Sequence, residues 1–553
     1  MRRRPWRLSA AAMTVTVALS VASCAVGQAP PPPAPRPPVA RPAAEPGAVA
    51  PTASISPATS AELLALGRRL YDKQCASCHG ASGRGDGEAA YLLYPRPRDL
   101  VAGAFRLVST WERVPTDEDL YRTISRGMPG SAMPSWSHLS EEERRALVRY
   151  VKALRASPLV VAPATDKGEG QSGTGVIAVP PRAPFTPEAR ALALERFADA
   201  CASCHGLTGK GDGAEEQKDE AGYPTRPRDL TVGVFKGDPD PVQLYRRIVA
   251  GMPGSPMPMS DWAHGADAWH LVDLIRSWSS EAQRRRAEMQ TFTIVARRVT
   301  RVPDHPDAGT WRLATPVNLH LMPLWWRSDR PEELTVRAVH DGSQVALLLV
   351  WADTSQDHTA MRPQDFRDAV AVQLSPTPDP PFFAMGGPGQ AVNIWMWKSE
   401  RQADLEPAFQ DLEKVYPNLG IDSYPNLKAA PVEQPTRHAL TLGSDPLFVT
   451  GWGAGNIVSD PLRPSPAEDL VAQGFGTLRA RGRGDQAVDA RGVYTTGTYR
   501  VMLRRDLRGR GEGAVSLQPG ATVPVGFAVW NGSAGDRDGK KSVTIWQELV
   551  LEP

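Results

Sequence analysis

Four of the five cysteines in this 553-residue chain fall into two copies of one hexapeptide, Cys75-Ala-Ser-Cys78-His79-Gly80 and Cys201-Ala-Ser-Cys204-His205-Gly206. Two thiols separated by two residues and followed at once by an imidazole form an attachment pattern for c-type haem. The thiols add to the haem vinyl groups, and the histidine lies where it can bind the iron. A zinc site or a redox dithiol has no need of that adjacent histidine, and the spacing does not suit a disulfide framework. Each copy is followed by two Met-Pro pairs, in GMPGSAMP from Gly127 and GMPGSPMP from Gly251, which offer a thioether as the second axial ligand.

The copies align beyond the motif. GRGDG at Gly83 to Gly87 corresponds to GKGDG at Gly209 to Gly213, and RPRDL occurs at both 96–100 and 226–230. Helices are expected before each motif, with Leu63, Leu66, Leu70 and Tyr71 at helical spacing in the first copy and Leu194 and Phe197 in the second. A closing helix is expected after each methionine loop. In the first copy Ser140 and Glu143 form a capping-box pattern ahead of Leu147, Val148, Val151 and Leu154; in the second the stripe is Leu271, Leu274, Ile275 and Trp278. This pattern resembles small all-α class I cytochrome c domains at 58–155 and 188–282. The resemblance implies His79 and His205 as proximal ligands and a sulfur ligand from the loop before the last helix, in the family usually the Met of the second Met-Pro, hence Met133 and Met257. Met128 and Met252 then pack, and Met259 is a weaker candidate. His138, His264 and His270 read as structural. Arg98 and Arg228 could meet haem propionates, since guanidinium suits carboxylates, or could stay solvated.

From about Gln290 the texture changes to short apolar strands with Gly/Pro-rich connections, which predicts an all-β antiparallel sandwich over 290–553. LTVRAVH and VALLLVW read as a hairpin turning at Asp341-Gly342. Further strands are expected at 370–374, 499–503, 524–530 and 542–552. The strings HDGSQVALLLVWAD, PFFAMGGPGQAVNIWMWK, GFGTL and FAVWNGSAGDRDGKKSVTIW resemble, in the same order, the haem b-binding domain related to ethylbenzene dehydrogenase, the γ subunit of molybdoenzymes of the dimethyl-sulfoxide-reductase family. That resemblance implies a non-covalent haem b held between Met385 and Lys541. Only five lysines follow residue 290, at 398, 414, 428, 540 and 541; a neutral amine can bind iron, whereas guanidinium stays protonated. Lys540 would face the other side of a strand, and Lys398 is the next alternative. Trp395 and Trp397 share one strand face, against the core or a haem. His340, His358 and His438 are expected to be exposed. The family's γ subunit normally lacks fused c-type domains, so the enzyme partner is not specified by the resemblance.

The ends and linkers complete the plan. Arg2, Arg3, Arg4 and Arg7 precede an apolar run from Leu8 to Ala22 and then VASC, which reads as an export signal and resembles a bacterial lipoprotein signal acylated at Cys24. Residues 25–57 form a Pro-rich spacer, with eleven prolines between 30 and 57, and 156–187 reads as a flexible linker spanning roughly 30 Å. With 53 Pro, 48 Gly and 41% hydrophobic residues the chain is neither one compact domain nor globally disordered. Its 63 basic against 61 acidic side chains give no reason to expect nucleic acid. The expected product is an exported, lipid-anchored electron carrier with two covalent haem c groups and one haem b, no catalytic residue of its own, and a place on the periplasmic side of a membrane. Its expected partners are a molybdopterin catalytic subunit, an iron-sulfur subunit, and other periplasmic cytochromes or quinol-linked membrane proteins. A di-haem peroxidase, disfavoured by both Met-Pro segments, and a di-haem cytochrome whose sandwich binds a small molecule or carbohydrate are the alternatives.

Overall fold

The computed structural model describes residues 60–164, 173–260, 262–383, 385–405, 415, 416, 418 and 463–553. Cys24, the export segment, the Pro-rich spacer, Lys414, Lys428 and His438 lie outside the described residues. Among those described, no helix is long and apolar enough to cross a membrane.

The first repeat is helical. Helix α1 (Ser60–Gln74) leads into the short α2 (Ala76–His79) that carries the motif, followed by α3 (Asp117–Arg126) and α4 (Glu141–Ala153). The capping box at Ser140 forms in both directions, Glu143 N–H donating to Ser140 Oγ and Ser140 N–H to Glu143 Oε2. Two orphan donors are thereby satisfied at the start of α4. Gly67 lets α1 cross α4, because a Cβ there would collide with the Ala146 carbonyl. Leu147, Val148 and Val151 are buried with Tyr71 at that crossing.

The second repeat reproduces this with α5 (Pro187–Ala200), α6 (Ala202–His205), α7 (Pro241–Ala250) and α8 (Gly265–Ser277). It adds a small ribbon, β1 (Gln217–Lys218) with β2 (Pro224–Thr225), and is followed by α9 (Glu281–Arg286). Leu194 departs from expectation. It is 40% exposed, and Ala193 and Phe197 make the core contact of α5, one position round the helix from the stripe assumed. The linker is also less free than its composition suggests. Ile177 is buried in the second core, its N–H donates to Ser109 O at 2.8 Å, and Trp111 N–H donates to Gly175 O at 3.0 Å.

The C-terminal half begins with β3 (Thr293–Arg298), β4 (Val317–His320), β5 (Met322–Pro323), β6 (Glu333–His340), β7 (Gln344–Ala352), β8 (Ala369–Leu374) and β9 (Val392–Lys398). After α10 (Ser399–Leu405) it continues with β10 (Ala467–Ala472), β11 (Arg479–Ala480), β12 (Asp489–Tyr494), β13 (Thr498–Asp506), β14 (Thr522–Trp530), β15 (Ser542–Val543) and β16 (Gln547–Leu551). These strands form a mixed sheet, ordered β11-β10-β9-β8-β14-β16-β3-β6-β7-β13-β12, and not a purely antiparallel one. Strand β3 pairs parallel with both β16 and β6. Its neighbours come from distant parts of the chain, so no hairpin imposes antiparallel pairing on it. One core gathers Val372 and Trp395 with Leu347, Val501 and Val525, so the two halves of the sheet pack face to face. The expected hairpin forms one residue later than placed, because Asp341 N–H bonds to Gln344 O and Gly342-Ser343 makes the turn.

These parts are not independent. Residues 58–553 form one compact unit. Ala89, Leu93 and Ala132 of the first repeat share a core with Met322, Leu324, Val543 and Ile545 of the sheet. Tyr94 N–H donates to Leu324 O and Trp326 N–H to Tyr94 O, so backbone bonds also join them.

Candidate haem sites

Each repeat encloses an apolar cavity, of about 180 Å3 in the first and about 170 Å3 in the second. Cys75, Cys78, His79, Met128 and Met133 line the first, and Cys201, Cys204, His205, Met252 and Met257 line the second. His79 Nδ1 lies 2.9 Å from the Arg98 carbonyl oxygen. A carbonyl only accepts, so Nδ1 carries the proton and Nε2 keeps its lone pair for a metal. Burial pushes the His205 imidazole down to about 4, with the Lys236 charge adding to it, and His79 is lowered chiefly by burial. Both are therefore neutral, the form that ligates iron. Burial also pushes the Cys75 and Cys78 thiols up to about 12 and Cys201 up to about 11.

The methionine loops are built alike. Gly127 and Gly251 end α3 and α7 at φ of +71° and +66°, and a Cβ at either would strike the carbonyl of Pro134 or Pro258. Met128 N–H donates to Met133 O at 3.0 Å, and Met252 N–H to Met257 O at 3.1 Å. Both methionines of each loop reach the cavity, but Met252 is buried in the protein core while Met257 is half-buried. Met259, His138, His264 and His270 line neither cavity. His264 instead packs on Trp111 and His138 on Trp136. Arg98 lines the first cavity, and Arg228 lines both.

In the sandwich, Lys541 and Met385, 156 residues apart, face each other with Nζ 3.9 Å from Sδ. Met385 has φ of +62°, a region that side chains rarely adopt. Its backbone is clamped: Met385 N–H donates to Gln373 Oε1 at 3.1 Å, Gln373 Nε2 donates to Phe383 O at 2.9 Å, and Gly474 N–H donates to Met385 O at 2.7 Å. Burial pushes the Lys541 amine down to about 8, which brings the neutral, ligating form within reach near neutral pH. The neighbouring apolar surface is Ala369, Ala371, Ile394, Ala472 and Trp530. A thioether and a deprotonatable amine converging beside such a surface suit an axially ligated haem.

The alternatives point elsewhere. Lys540 stands 5.6 Å from the Trp325 ring, and Lys398 is in an ion pair with Glu468 at 2.9 Å. Trp395 and Trp397 are buried in the core between the two halves of the sheet. His358 is exposed as expected, but His340 is fully buried: it ends β6 on the covered side of the sheet, and not in the solvent-facing turn.

Residues not singled out in the sequence connect the sites. Phe382 lines the first cavity together with Cys78, and Phe383, its ring centroid 4.4 Å from that of Phe382, lies two residues before Met385. Lys236 lines both c-type cavities, with Arg106 in the first and Arg247 in the second. A signal for two of them was present, since Phe105-Arg106 and Phe235-Lys236 occupy matching places in the repeat.

Comparison with known proteins agrees with this division. Residues 311–542 match the model of the family described as ethylbenzene dehydrogenase. Residues 62–151 match cytochrome C oxidase, cbb3-type, subunit III, and 194–279 match cytochrome c. The chain is 25% identical over 224 residues to a heme subunit ascribed to a respiratory nitrate reductase of Haloferax mediterranei, covering 40% of this chain and 57% of that protein. It is 23% identical over 254 residues to chlorate reductase subunit gamma of Ideonella dechloratans (44% of this chain, 78% of that one). It is 24% identical over 257 residues to dimethylsulfide dehydrogenase subunit gamma of Rhodovulum sulfidophilum (44% and 74%). The chain thus spans little more than half the length of the first of these relatives. By these matches the chain carries two cytochrome c domains followed by a domain similar to the ethylbenzene dehydrogenase family.

Proposed function

We propose that this protein is a three-haem electron-transfer subunit, with two covalent c-type groups and one non-covalent b-type group, that links a molybdoenzyme-type complex to a respiratory electron pool. The observation that carries the reading is the meeting of Lys541 Nζ and Met385 Sδ at 3.9 Å, which supports a third site beside the two Cys-x-x-Cys-His cavities. His79 with Met133, His205 with Met257, and Met385 with Lys541 are the assigned ligand pairs. Each pair would hold a haem iron through two side chains, which disfavours a peroxidase role. Haem in such sites supplies one-electron exchange. The chain's own residues hold each group, exclude water from it and set its potential through ligand type and burial.

Shared residues put the three sites in series. Phe383, two residues before Met385, packs against Phe382 in the lining of the first cavity, and Arg228 and Lys236 are common to the first and second. Among the described residues, no member of the apolar cluster beside Met385 lines the second cavity. An electron therefore crosses from sandwich to first cytochrome to second, or the reverse. The partners inferred from the γ-subunit relatives are a molybdopterin catalytic subunit and an iron-sulfur subunit, with other cytochromes or quinol-linked proteins at the opposite end. Acylation at Cys24 would hold the exported chain to a membrane on its periplasmic side.

Acid-acetone extraction followed by pyridine haemochrome spectra tests the haem content. Two haems stay with the protein and one is extracted. Two covalent haems with none extractable would remove the sandwich site from the proposal. Labelling with palmitate, lost in Cys24→Ala without loss of haem, tests the anchor.

A further inference from the structure

The boundary between the two cytochrome units is built from basic residues exchanged across it. Arg98 of the first unit pairs with Glu220 of the second, and its repeat counterpart Arg228 reaches the other way, Nη2 donating to Pro129 O in the first methionine loop at 3.1 Å. Arg106 and its counterpart Lys236 converge on the same place, where Arg106 pairs with Asp219 at 3.4 Å. The second unit adds Arg247, where the first has Thr123.

Five basic side chains thus meet the carboxylates of Glu220 and Asp219, with Asp238 acting on Arg247 and Glu332 on Arg228 from further away. Among the described residues, no carboxylate stands within ion-pair distance of Arg228, Lys236 or Arg247. Buried nitrogens of Arg98, Arg106, Arg228 and Arg247 lack hydrogen-bond partners, and Arg228 is only 9% exposed. Burial, with the charges of Arg228, Arg106, Arg247 and Arg98, holds the Lys236 amine well below its ordinary value. Buried basic groups in excess of the nearby carboxylates are costly to charge, so this cluster calls for further anions. A haem brings two propionate carboxylates, and Arg228 and Lys236 line both haem cavities.

We propose that the two cytochrome units share one anion-binding seam, in which Arg98, Arg106, Arg228, Lys236 and Arg247 jointly receive the propionates of both covalent haems. This rests on the c-type reading of the two cavities. The seam makes the two haems an electrostatic pair: a charge removed at its centre is felt at both irons, although the residue belongs to only one repeat.

The test uses the full-length protein loaded with haem. Redox titration of Lys236→Met is expected to lower the midpoint potentials of both covalent haems, because losing a nearby positive charge favours the ferric state. Lys236→Arg should restore both. Lys152→Met, which removes an exposed cation paired with Asp117 on the first unit, should move neither. A shift confined to one haem, no shift at all, or an equal shift in Lys152→Met overturns the shared seam. If Lys236→Met does not accumulate, the same titration of Arg228→Lys decides: a guanidinium replaced by a shorter amine should displace both potentials if the seam is shared, and at most one if it is not. Pyridine haemochrome analysis keeps this separate from the underlying reading. Absence of two covalent haems in the unmodified chain defeats the c-type sites themselves, whereas two covalent haems with unlinked potentials defeats the seam alone.

Discussion

The two cytochrome units share a motif, a methionine loop and a cavity of nearly the same volume, yet they hold their histidines differently. In the first, His79 Nδ1 bonds to the Arg98 carbonyl; in the second, His205 Nδ1 is buried without a hydrogen-bond partner among the described residues. In the first, Tyr71 donates its buried hydroxyl to Gly80 O at 2.8 Å, where the second has Phe197 packed edge-on to Trp278 at 4.9 Å. The first is wedged between the sheet and the second unit and shares a core with each side. The second leaves Leu207, just after its motif, 72% exposed. Local sequence therefore makes the pocket, while surroundings decide how firmly its ligand is oriented and what stands next to it.

Removing attachment cysteines should break this comparison most strongly. Cys201→Ala with Cys204→Ala should lose one covalent haem and leave the extractable haem in place. Cys75→Ala with Cys78→Ala should lose one covalent haem and also weaken retention of the extractable one, because Cys78 and Phe382 line one cavity and Phe382 packs against Phe383, two residues before Met385. Equal retention of extractable haem in both variants would show that the first unit does not support the sandwich site.

Lys541→Ala should lose the extractable haem and keep both covalent ones, as read by haemochrome spectra. Loss of covalent haem as well would mean that this substitution disturbs the shared core and not only a ligand.

Met133→His and Met257→His should each lower the potential of one c-type haem, since imidazole favours the oxidised iron more than thioether does. Spectroelectrochemical titration of each variant reads this out. A shift from Met128→His instead of Met133→His would move the first axial assignment within its loop, and the matching choice of Met257 over Met252 would lose its support.

The smallest effect is expected at Tyr71. Tyr71→Phe should destabilise the first unit by about 1 kcal/mol, the worth of one buried hydrogen bond. Denaturant unfolding followed at the haem band measures it, and an unchanged midpoint would show that the Tyr71 hydroxyl does not account for the difference between the units.

Much of the architecture was legible because short-range rules generate it. The Ser140-Glu143 box, the Leu147-Val148-Val151 stripe and the glycines ending α3 and α7 depend on residues within a turn or two of one another. Leu194 failed because a two-residue stripe leaves the phase of a helix undetermined by one position. The parallel pairing of β3 failed for a different reason: its partners are separated from it in the chain, and no periodicity within β3 encodes who lies beside it.

The sequence by itself placed two thiols and an imidazole at the spacing that a c-type site requires, and it determined the repeat that doubles the pocket. Resemblance singled out Met385 and Lys541, but only folding across 156 residues brought their side chains face to face. Tertiary structure alone decided that Phe382 joins Cys78 in the first cavity and that Arg98 and Arg228 exchange sides. The physical reason is that attachment is a property of adjacent residues, whereas the path between sites depends on which surfaces bury each other, and burial is settled only when the whole chain packs.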